Sequence, residues 1–441
     1  MARATACTSK PSASNAPVDA KMRAPGLVRY LILGATCLVL ASCASVPRRE
    51  APPSARNSTP VGFPQDIRLV TTDVNRFTQR APAFLKGVLK AGNGGTVSVL
   101  ALSGGGSEGA FGAGALVGLS RFGKLPPFQL VTGVSAGALI APFAFLGPSW
   151  DPKLEDIFTR DLSHLMNGSL FWRIVDRLFS PLGKGHHAPL YKLVDEIASP
   201  ELVEAVARES ASGRELVVAT TDLDTQETVI WNMSAIAEQG GERARSLFRD
   251  VLLASASLPG IYPPVLIKVR QGDKDYEELH VDGGVTTPVF VFPLVAAIAP
   301  AELPKLNGVH LYMIVNGQLA TLPTTTPVKT LDVMGRSFSA QLTYRTREAI
   351  INTVQMARQL GMRFEVTYIP VDYPVTSFVN FKPKYTRALF NYGARCAQHG
   401  LLWLTPQEAV RRNSEPLLPN ASGQPQCPIA QPSSTAESTT P

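Results

Sequence analysis

The sequence predicts an α/β fold in which helices flank a mainly parallel central sheet. Two observations predict it. Residues 97–145 contain two successive strand–turn–helix units, each with a turn rich in glycine. Because a helix can return the chain to the start of the next strand, strands that alternate with helices indicate parallel pairing. The later alternation is strand 278–281, strand 310–315, helix 331–360, strand 364–371 and helix 385–403.

In the first unit, the apolar run of residues 97–102 leads into a glycine cluster at residues 104–109. The cluster satisfies the G-x-G-x-x-G pattern of a dinucleotide-binding turn, but that use needs an acidic residue about 20 positions later. No Asp or Glu occurs between Glu108 and Asp151, and the Gly-Lys-Ser/Thr of a phosphate-binding loop is also missing. The remaining use of such a loop is an oxyanion hole, in which backbone N–H groups bind the charge of a tetrahedral intermediate.

The second unit leads from the run at residues 128–132 into GVSAG at residues 133–137, the G-x-S-x-G pattern of a nucleophile elbow. A serine on so tight a turn exposes its hydroxyl, and the residues two before and two after it must be small. Gly133 and Gly137 meet that requirement. Ser135 is therefore the candidate nucleophile, at the start of a helix whose dipole favours negative charge.

A second candidate catalytic residue follows the strand predicted at residues 278–281. Asp282 ends this strand and precedes two glycines, Gly283 and Gly284, which allow a loop of free backbone geometry. A carboxylate there can act as the base that takes the serine proton, provided that burial raises its pKa above the usual value of about 3.9. Between the two sites, a hairpin is predicted around residues 222–226, and a small-residue helix stopped by prolines at 252–265.

Taken together, these motifs resemble the patatin-like phospholipase family. The resemblance is specific over residues 97–284 and implies a three-layer α/β fold and hydrolysis of lipid acyl esters without a metal or another cofactor. It implies a Ser-Asp dyad in place of a triad, with Ser135 as nucleophile and Asp282 as base. It also implies an oxyanion hole formed by the backbone N–H groups of Gly104, Gly105 and Gly106.

One residue departs from the family pattern. Many members carry Arg or Lys before the last glycine of the first loop, whereas this chain has Glu108. A carboxylate disfavours an anion at that position. The departure therefore argues against anion binding at this position and against a marked preference for phospholipid over neutral esters.

Two alternatives remain from the sequence. A Ser-Asp-His esterase of the α/β-hydrolase type needs a histidine after the acid, and His310 and His399 are the candidates. The chain is alternatively a membrane-anchored lipid-binding scaffold without hydrolytic activity. The pair at residues 186–187, both His, has no third ligand patterned near it, so no metal site is predicted.

The N-terminal residues predict export and lipidation. An apolar stretch of about 11 residues, 30–40, follows two arginines and is too short to span a bilayer but suits a signal peptide. The sequence LASC then resembles a lipoprotein lipobox, with Cys43 as the lipidated residue and the outer membrane, facing the periplasm, as the location. The predicted divisions are a signal peptide at 1–42, a Pro/Ser-rich tether at 43–62, a catalytic domain at 63–412 and a disordered tail at 413–441.

Charge and cysteine usage are consistent with this organisation. The formal net charge is +7, but residues 1–42 hold five basic residues and one acidic one, which leaves +3 for the rest. No dense run of Lys or Arg predicts a nucleic-acid partner, and the predicted partners are a lipid substrate and the membrane. Of the five cysteines, Cys396 and Cys427 remain in the body, either bridged or free. Residues 170–179 are apolar with interleaved basic residues, and form either a packed amphipathic helix or a membrane-docking lid.

Overall fold

A computed structural model describes residues 51–166, 189–291, 306–408 and 427, apart from 321–322, 372, 376 and 406. Contacts divide the chain into two compact units, Met1–Val46 and Pro47–Pro441, and every described residue belongs to the second. The predicted signal peptide, Cys43, the segment at 170–179 for which a helix or lid was predicted, and the predicted tail other than Cys427 lie outside the described residues. None of the described helices combines the length and the apolar character that crossing a bilayer requires.

The described strands form one ten-stranded sheet, which confirms the α/β prediction. Along the sheet the order is β1-β7-β8-β5-β4-β3-β9-β10, and β6 pairs with both β2 and β5. The strands are β1 (Thr59–Pro60), β2 (Arg68–Val70), β3 (Val97–Leu102), β4 (Phe128–Gly133), β5 (Glu215–Asp222), β6 (Glu227–Asn232), β7 (Val265–Gln271), β8 (Lys274–Asp282), β9 (Val309–Gln318) and β10 (Arg363–Ile369).

Ten helices accompany this sheet in the described ranges. They are α1 (Val74–Ala91), α2 (Gly109–Arg121), α3 (Ala136–Leu146), α4 (Asp151–Thr159), α5 (Pro189–Ile197), α6 (Pro200–Ser210), α7 (Met233–Glu238), α8 (Gly241–Ser255), α9 (Thr330–Leu360) and α10 (Pro383–Gln398).

Parallel pairing is confined to one part of the sheet. Strands β5, β4, β3, β9 and β10 pair in parallel in that order. The remaining strand pairs are antiparallel, because the predicted hairpin after β5 and the short turn between β7 and β8 leave no room for a crossover helix. The sheet is therefore parallel at its centre and antiparallel on the side that supplies Asp282.

Two hydrophobic cores lie on the two faces of the sheet. Along β3, Leu100 and Leu102 belong to one core and Val99 and Ala101 to the other, as the two-residue period of a strand requires. Helices α2, α3 and α10 contribute to the first core, and α1 and α9 to the second. The molecule thus has three layers, with the central strands covered on both sides.

Helices α2 and α10 pack unusually closely in the first core. A Cβ atom at Gly114 of α2 would lie 1.9 Å from the backbone oxygen of Phe390, so only glycine fits there. The disulfide Cys396–Cys427 joins α10 to the tail. This bridge decides between the two alternatives that the sequence left for these cysteines.

The N-terminal boundary differs from the predicted tether at 43–62. Residues 55–57 form a 3-10 turn, Thr59–Pro60 pairs with β7, and the side chains of Ala55 and Ser58 are buried. The Ser58 hydroxyl donates a hydrogen bond of 2.6 Å to Glu278 on β8. The ordered body therefore begins by Ala55, because Ser58 has a buried partner 220 residues away that composition cannot reveal. Strand β2 follows this segment, and helix α1 begins after it, at Val74.

Candidate active site

The nucleophile elbow predicted at residues 133–137 is present between β4 and α3. Ser135 has φ 55° and ψ −124°, a backbone conformation that residues other than glycine seldom adopt. A Cβ atom at Gly133 would lie 2.6 Å from the backbone oxygen of Gly137. A Cβ atom at Gly137 would lie 2.5 Å from the backbone oxygen of Leu102. Both positions therefore require glycine, because the neighbouring backbone leaves no room for a side chain.

A buried serine on α8 holds the elbow in this conformation. The N–H of Ser135 donates to Ser255 Oγ at 3.0 Å, and that hydroxyl donates onward to the backbone oxygen of Ala219 at 2.8 Å. Ser255 is fully buried. The sequence predicted a small-residue helix at 252–265 but did not single out Ser255, since one serine among several small residues gives no signal of its own.

Sheet register brings Ser135 and Asp282 together. Strand β5 pairs with β4 at Val218–Gly133 and with β8 at Thr220–Asp282, so two strands from distant parts of the chain end beside one another. The Ser135 hydroxyl donates a hydrogen bond to Asp282 Oδ2 at 2.6 Å. The other carboxylate oxygen accepts the N–H of Gly284 at 2.7 Å. Both residues singled out from the sequence are therefore in direct contact.

Burial makes Asp282 a stronger base than a free aspartate. Its side chain is only 3% exposed. This loss of solvent raises the pKa of Asp282 to about 7, against the opposing effect of the hydrogen bonds from Ser135 and Gly284. Near neutral pH, a substantial fraction of Asp282 is deprotonated and able to accept a proton.

The glycine loop after β3 lies against the same cavity as the dyad, but its three glycines differ. The N–H of Gly104 donates to the backbone oxygen of Pro288 at 3.0 Å, so the predicted role of Gly104 as an oxyanion donor is wrong for this conformation. In the described part of the chain, no acceptor bonds the N–H of Gly105 or Gly106. A Cβ atom on Gly105 would lie 1.9 Å from the backbone oxygen of Asn316, and one on Gly106 would lie 2.1 Å from the backbone oxygen of Phe378.

Asn316 at the end of β9 holds this loop, and the sequence prediction missed it. Its backbone N–H donates to Ser103 Oγ, and its Nδ2 donates to the Ser103 oxygen, both at 2.8 Å. Its Oδ1 accepts the N–H of Gly112 at 3.1 Å. A polar residue directly after the buried run 310–315 was the available signal, because parallel strands β3 and β9 end at the same edge.

A largely apolar cavity of about 250 Å³ opens at the dyad. Ser135, Asp282 and the loop at residues 104–108 line one part of it. Apolar side chains from several elements line the rest, among them Leu139, Phe158, Leu193, Phe338, Leu342 and Phe381. This lining suits an acyl chain better than a polar substrate.

Glu108 places a carboxyl group in the cavity wall. Glu108 is half-buried, and its side chain makes no hydrogen bond or ion pair within the described part of the chain. Removal from bulk water raises the pKa of Glu108 to about 8, so the group is mainly uncharged at neutral pH. Many members of the family that the sequence resembles have Arg or Lys at this position. This chain has a carboxyl group there, and that group is mainly uncharged at neutral pH.

The histidines predicted for a triad do not reach Ser135. His310 pairs with Ser98 at the start of β3, whereas the site lies at the other end, beside Leu102. Four residues of strand separate these positions, about 13 Å. His399 follows the last residue of α10, and none of the described histidines lines the cavity. The geometry gives the triad alternative no support among these residues.

With fold and site defined, comparison with known proteins gives the family. Residues 100–295 match the family model described as "Patatin-like phospholipase". That range contains the elbow, the glycine loop and Asp282. Residues 100–295 therefore form a patatin-like phospholipase domain, and the members of that family are lipid ester hydrolases. No protein with a curated description matches the sequence significantly.

Three solved structures match parts of this chain at low identity. VipD from Legionella pneumophila shares 13% identity at a TM-score of 0.33, over 69% of this chain and 67% of that one. Human GIVD cytosolic phospholipase A2 shares 10% identity at a TM-score of 0.32, over 71% of this chain and 55% of that one. Full-length ExoU of Pseudomonas aeruginosa, solved in complex with SpcU, shares 16% identity at a TM-score of 0.26. This match covers 60% of this chain and 53% of that one. The chain thus spans little more than half of the latter two proteins.

Proposed function

We propose that this chain is a serine acyl hydrolase that cleaves lipid acyl esters with a Ser-Asp dyad. The observation that carries the proposal is the 2.6 Å hydrogen bond from Ser135 to a buried Asp282. Asp282 takes the hydroxyl proton while Ser135 Oγ attacks the ester carbonyl carbon. The N–H groups of Gly105 and Gly106 stabilise the resulting oxyanion.

The reaction then completes in two further steps. Collapse of the tetrahedral intermediate releases the alcohol, which receives the proton from Asp282 and leaves an acyl ester on Ser135. A water molecule gives a proton to Asp282 and attacks that ester. Collapse of the second tetrahedral intermediate releases the fatty acid, and Asp282 returns the proton to Ser135 Oγ, which restores the free hydroxyl. Each step uses the same carboxyl group alternately as base and acid.

The substrate we propose is a phospholipid or lysophospholipid, whose acyl chain enters the apolar part of the cavity. Leu139 and Leu193, on two different helices, both line that part. Glu108 lies on the cavity wall near the oxyanion loop, where it disfavours a negatively charged headgroup once ionised. Substrate ranking between phospholipids and neutral esters therefore depends on this residue.

Membrane attachment through an acylated Cys43, at the periplasmic face of an outer membrane, is part of the proposal. The lipobox-like LASC sequence supports it. The Cys396–Cys427 disulfide also supports it, because disulfides persist in oxidising compartments and not in a reducing cytosol. Metabolic labelling with an alkyne fatty acid tests this point: the parent incorporates the label, and Cys43→Ser does not.

Fatty-acid release tests the hydrolase proposal. We would use residues 47–441, which form one compact unit, with phospholipid, lysophospholipid and short-ester substrates and a chelator present. Ser135→Ala and Asp282→Asn abolish release, whereas Ser212→Ala and Asp273→Asn, at exposed positions, retain it. Full turnover in either site variant contradicts the dyad. No turnover on any substrate, together with no labelling by a fluorophosphonate, favours the lipid-binding scaffold.

A further inference from the structure

Apolar side chains exposed to solvent concentrate on one helix, α9. Among the described residues, eight large apolar side chains are exposed, and five of them lie between residues 328 and 351. These five form what we call the docking face: Val328, Val333, Met334, Tyr344 and Ile351, with exposed fractions from 47% to 100%. So many exposed apolar groups on one element mark a contact surface.

Helical periodicity aligns three of these residues. Tyr344 and Ile351 follow Val333 by about three and about five turns, so the three share one line along the helix. Met334 lies about 100° around the helix from this line, and Val328 precedes the first helical residue, Thr330, so these two widen the exposed apolar surface at the N-terminal end. The opposite side carries Leu342 and Thr346, which line the catalytic cavity. Helix α9 therefore has one side that lines the cavity and another side that exposes apolar residues to solvent.

The same helix contacts the loop that holds Asp282. Arg345 donates a hydrogen bond of 2.9 Å to the backbone oxygen of Thr286, four residues after the aspartate. Leu342 lies close enough that a Cβ atom on Gly284 would be 3.6 Å from it. Arg336 both lines the cavity and is exposed, so the cavity reaches the surface beside the docking face.

The charges on this helix select the kind of partner. Between residues 328 and 351 there are four basic residues and two acidic ones, Asp332 and Glu348. Lys329 directly precedes the first residue of the helix, and Arg336, which is exposed, donates a hydrogen bond of 2.9 Å to Thr324 Oγ1. Basic side chains beside an apolar helix face are typical of helices that lie in the interface of a bilayer with anionic lipids.

We infer that the docking face binds a lipid bilayer surface and brings the cavity mouth at Arg336 against it. This inference rests on the proposed function, because a lipid acyl hydrolase must take its substrate from a bilayer surface. The apolar side chains enter the acyl region, and Lys329 contacts the headgroups. A lipid molecule then passes from the bilayer to Ser135 without crossing water.

Vesicle binding tests the docking face independently of turnover. We would use residues 47–441 carrying Ser135→Ala and sediment them with phosphatidylcholine vesicles, with and without phosphatidylglycerol. Replacement of Val333, Met334 and Tyr344 by Gln weakens binding about tenfold or more, because the apolar contact area is lost. Lys329→Gln weakens binding to the anionic vesicles alone, about fivefold.

A matched control replaces exposed apolar residues on other elements, Phe122→Gln with Leu223→Gln, and leaves binding unchanged. Thermal unfolding verifies that all variants fold. Equal binding by the triple variant and its parent overturns the inference, as does no binding by the parent. A parent dimer that the triple variant converts to a monomer also overturns it, because the occupant is then a second copy of the chain.

Turnover by the Ser135 enzyme separates this inference from the proposed function. The triple variant loses activity on vesicles, chiefly through a higher KM, and keeps its rate on a soluble short-chain ester. If the parent hydrolyses neither substrate but binds vesicles through the docking face, the proposed function fails and the inference stands. If both substrates are hydrolysed equally well by parent and variant, the docking face is not used and the inference fails.

Discussion

The side chain of Asn316 donates a hydrogen bond to the backbone oxygen of Ser103 at 2.8 Å, across 213 residues of sequence. It fixes the start of the glycine loop against strand β9. The same side chain accepts the N–H of Gly112 in α2. The loop that carries Gly105 and Gly106 is thus held at both ends by one amide group.

Loss of this amide should displace the oxyanion donors. We expect Asn316→Ala to lower kcat about tenfold to hundredfold with little change in KM, because small displacements of catalytic groups have effects of that size. Steady-state hydrolysis of a short ester measures it. Asn232→Ala removes an asparagine that caps α7 by accepting the N–H of Ala235, and should leave kcat intact. An unchanged kcat in Asn316→Ala would show that the loop holds its shape without it.

The pH dependence of activity should follow Asp282. Its pKa is raised to about 7 by burial, and only the deprotonated form can accept the Ser135 proton. We expect kcat/KM to increase with pH and to level off above a midpoint near 7. The rate of fluorophosphonate labelling should follow the same curve. A midpoint near 4 in both measurements would mean that Asp282 is not the controlling group.

Stability should respond to the same carboxyl group in the opposite direction. Because its pKa is raised in the folded state, the protonated form favours folding, and this contribution is lost as pH rises from about 4 through about 7. We expect Asp282→Asn to be more stable than the parent at pH 8, by about 2–4 kcal/mol. Urea unfolding at pH 5 and pH 8 measures the difference, and Asp273→Asn, at an exposed position, is the control. A loss of stability at pH 8 would contradict the expectation.

Glu108 should determine discrimination against anionic substrates. Burial raises its pKa to about 8, so its negative charge develops above that pH. We expect the parent to lose phospholipid turnover relative to neutral-ester turnover as pH rises through 8, and Glu108→Gln to lose this dependence. Glu108→Arg should raise the phospholipid preference about tenfold at any pH in this range, since one favourable charge contact is worth about 1–2 kcal/mol. Equal substrate ratios in all three proteins would exclude a role in selectivity.

A buried ion pair connects the N-terminal segment to the strand that carries Asp282. Arg68 on β2 donates to Glu278 on β8, with 2.9 Å between Nη2 and Oε1, and both side chains are almost fully buried. Burial alone would raise the pKa of Glu278, but the charge and hydrogen bonds of Arg68, together with His280, lower it well below its usual value. Arg68 also donates to the backbone oxygens of Ala55 and Ser58.

Removing one partner of this pair should be far more damaging than removing both. We expect Arg68→Met to lower the free energy of unfolding by about 3–5 kcal/mol, because Glu278 is left buried and unpaired. The double variant Arg68→Met with Glu278→Leu should regain most of that loss. Urea denaturation of the parent, Arg68→Met, Glu278→Leu and the double variant measures the coupling. Purely additive effects of the two single changes would indicate that the pair does not act as a unit.

Much of the candidate site was predictable because its signals are local. The elbow at residues 133–137 and the loop at 104–109 each need small residues within a few positions of one another, and a sequence displays such requirements directly. Asp282 was predictable for a similar reason, since it ends a strand and precedes two glycines. The central parallel strands followed from their unbroken apolar runs.

The features that were missed depend on contacts between distant residues. The role of Gly104 changed because its N–H meets the oxygen of Pro288, and no pattern near residue 104 encodes that contact. Asn316 and Ser255 act on backbone groups more than 100 residues away. The tether boundary moved because Ser58 reaches Glu278. In each case the tertiary fold, and not the neighbouring sequence, brings the partners together.

The disulfide between Cys396 and Cys427 makes a covalent ring of the intervening chain, with a sequence separation of 31 residues. A single proteolytic cut inside this ring opens it without dividing the molecule. The nicked protein keeps its mass on a non-reducing gel and separates into two fragments only after reduction. Residue 427 consequently stays joined to helix α10 even when the peptide between them has been cut.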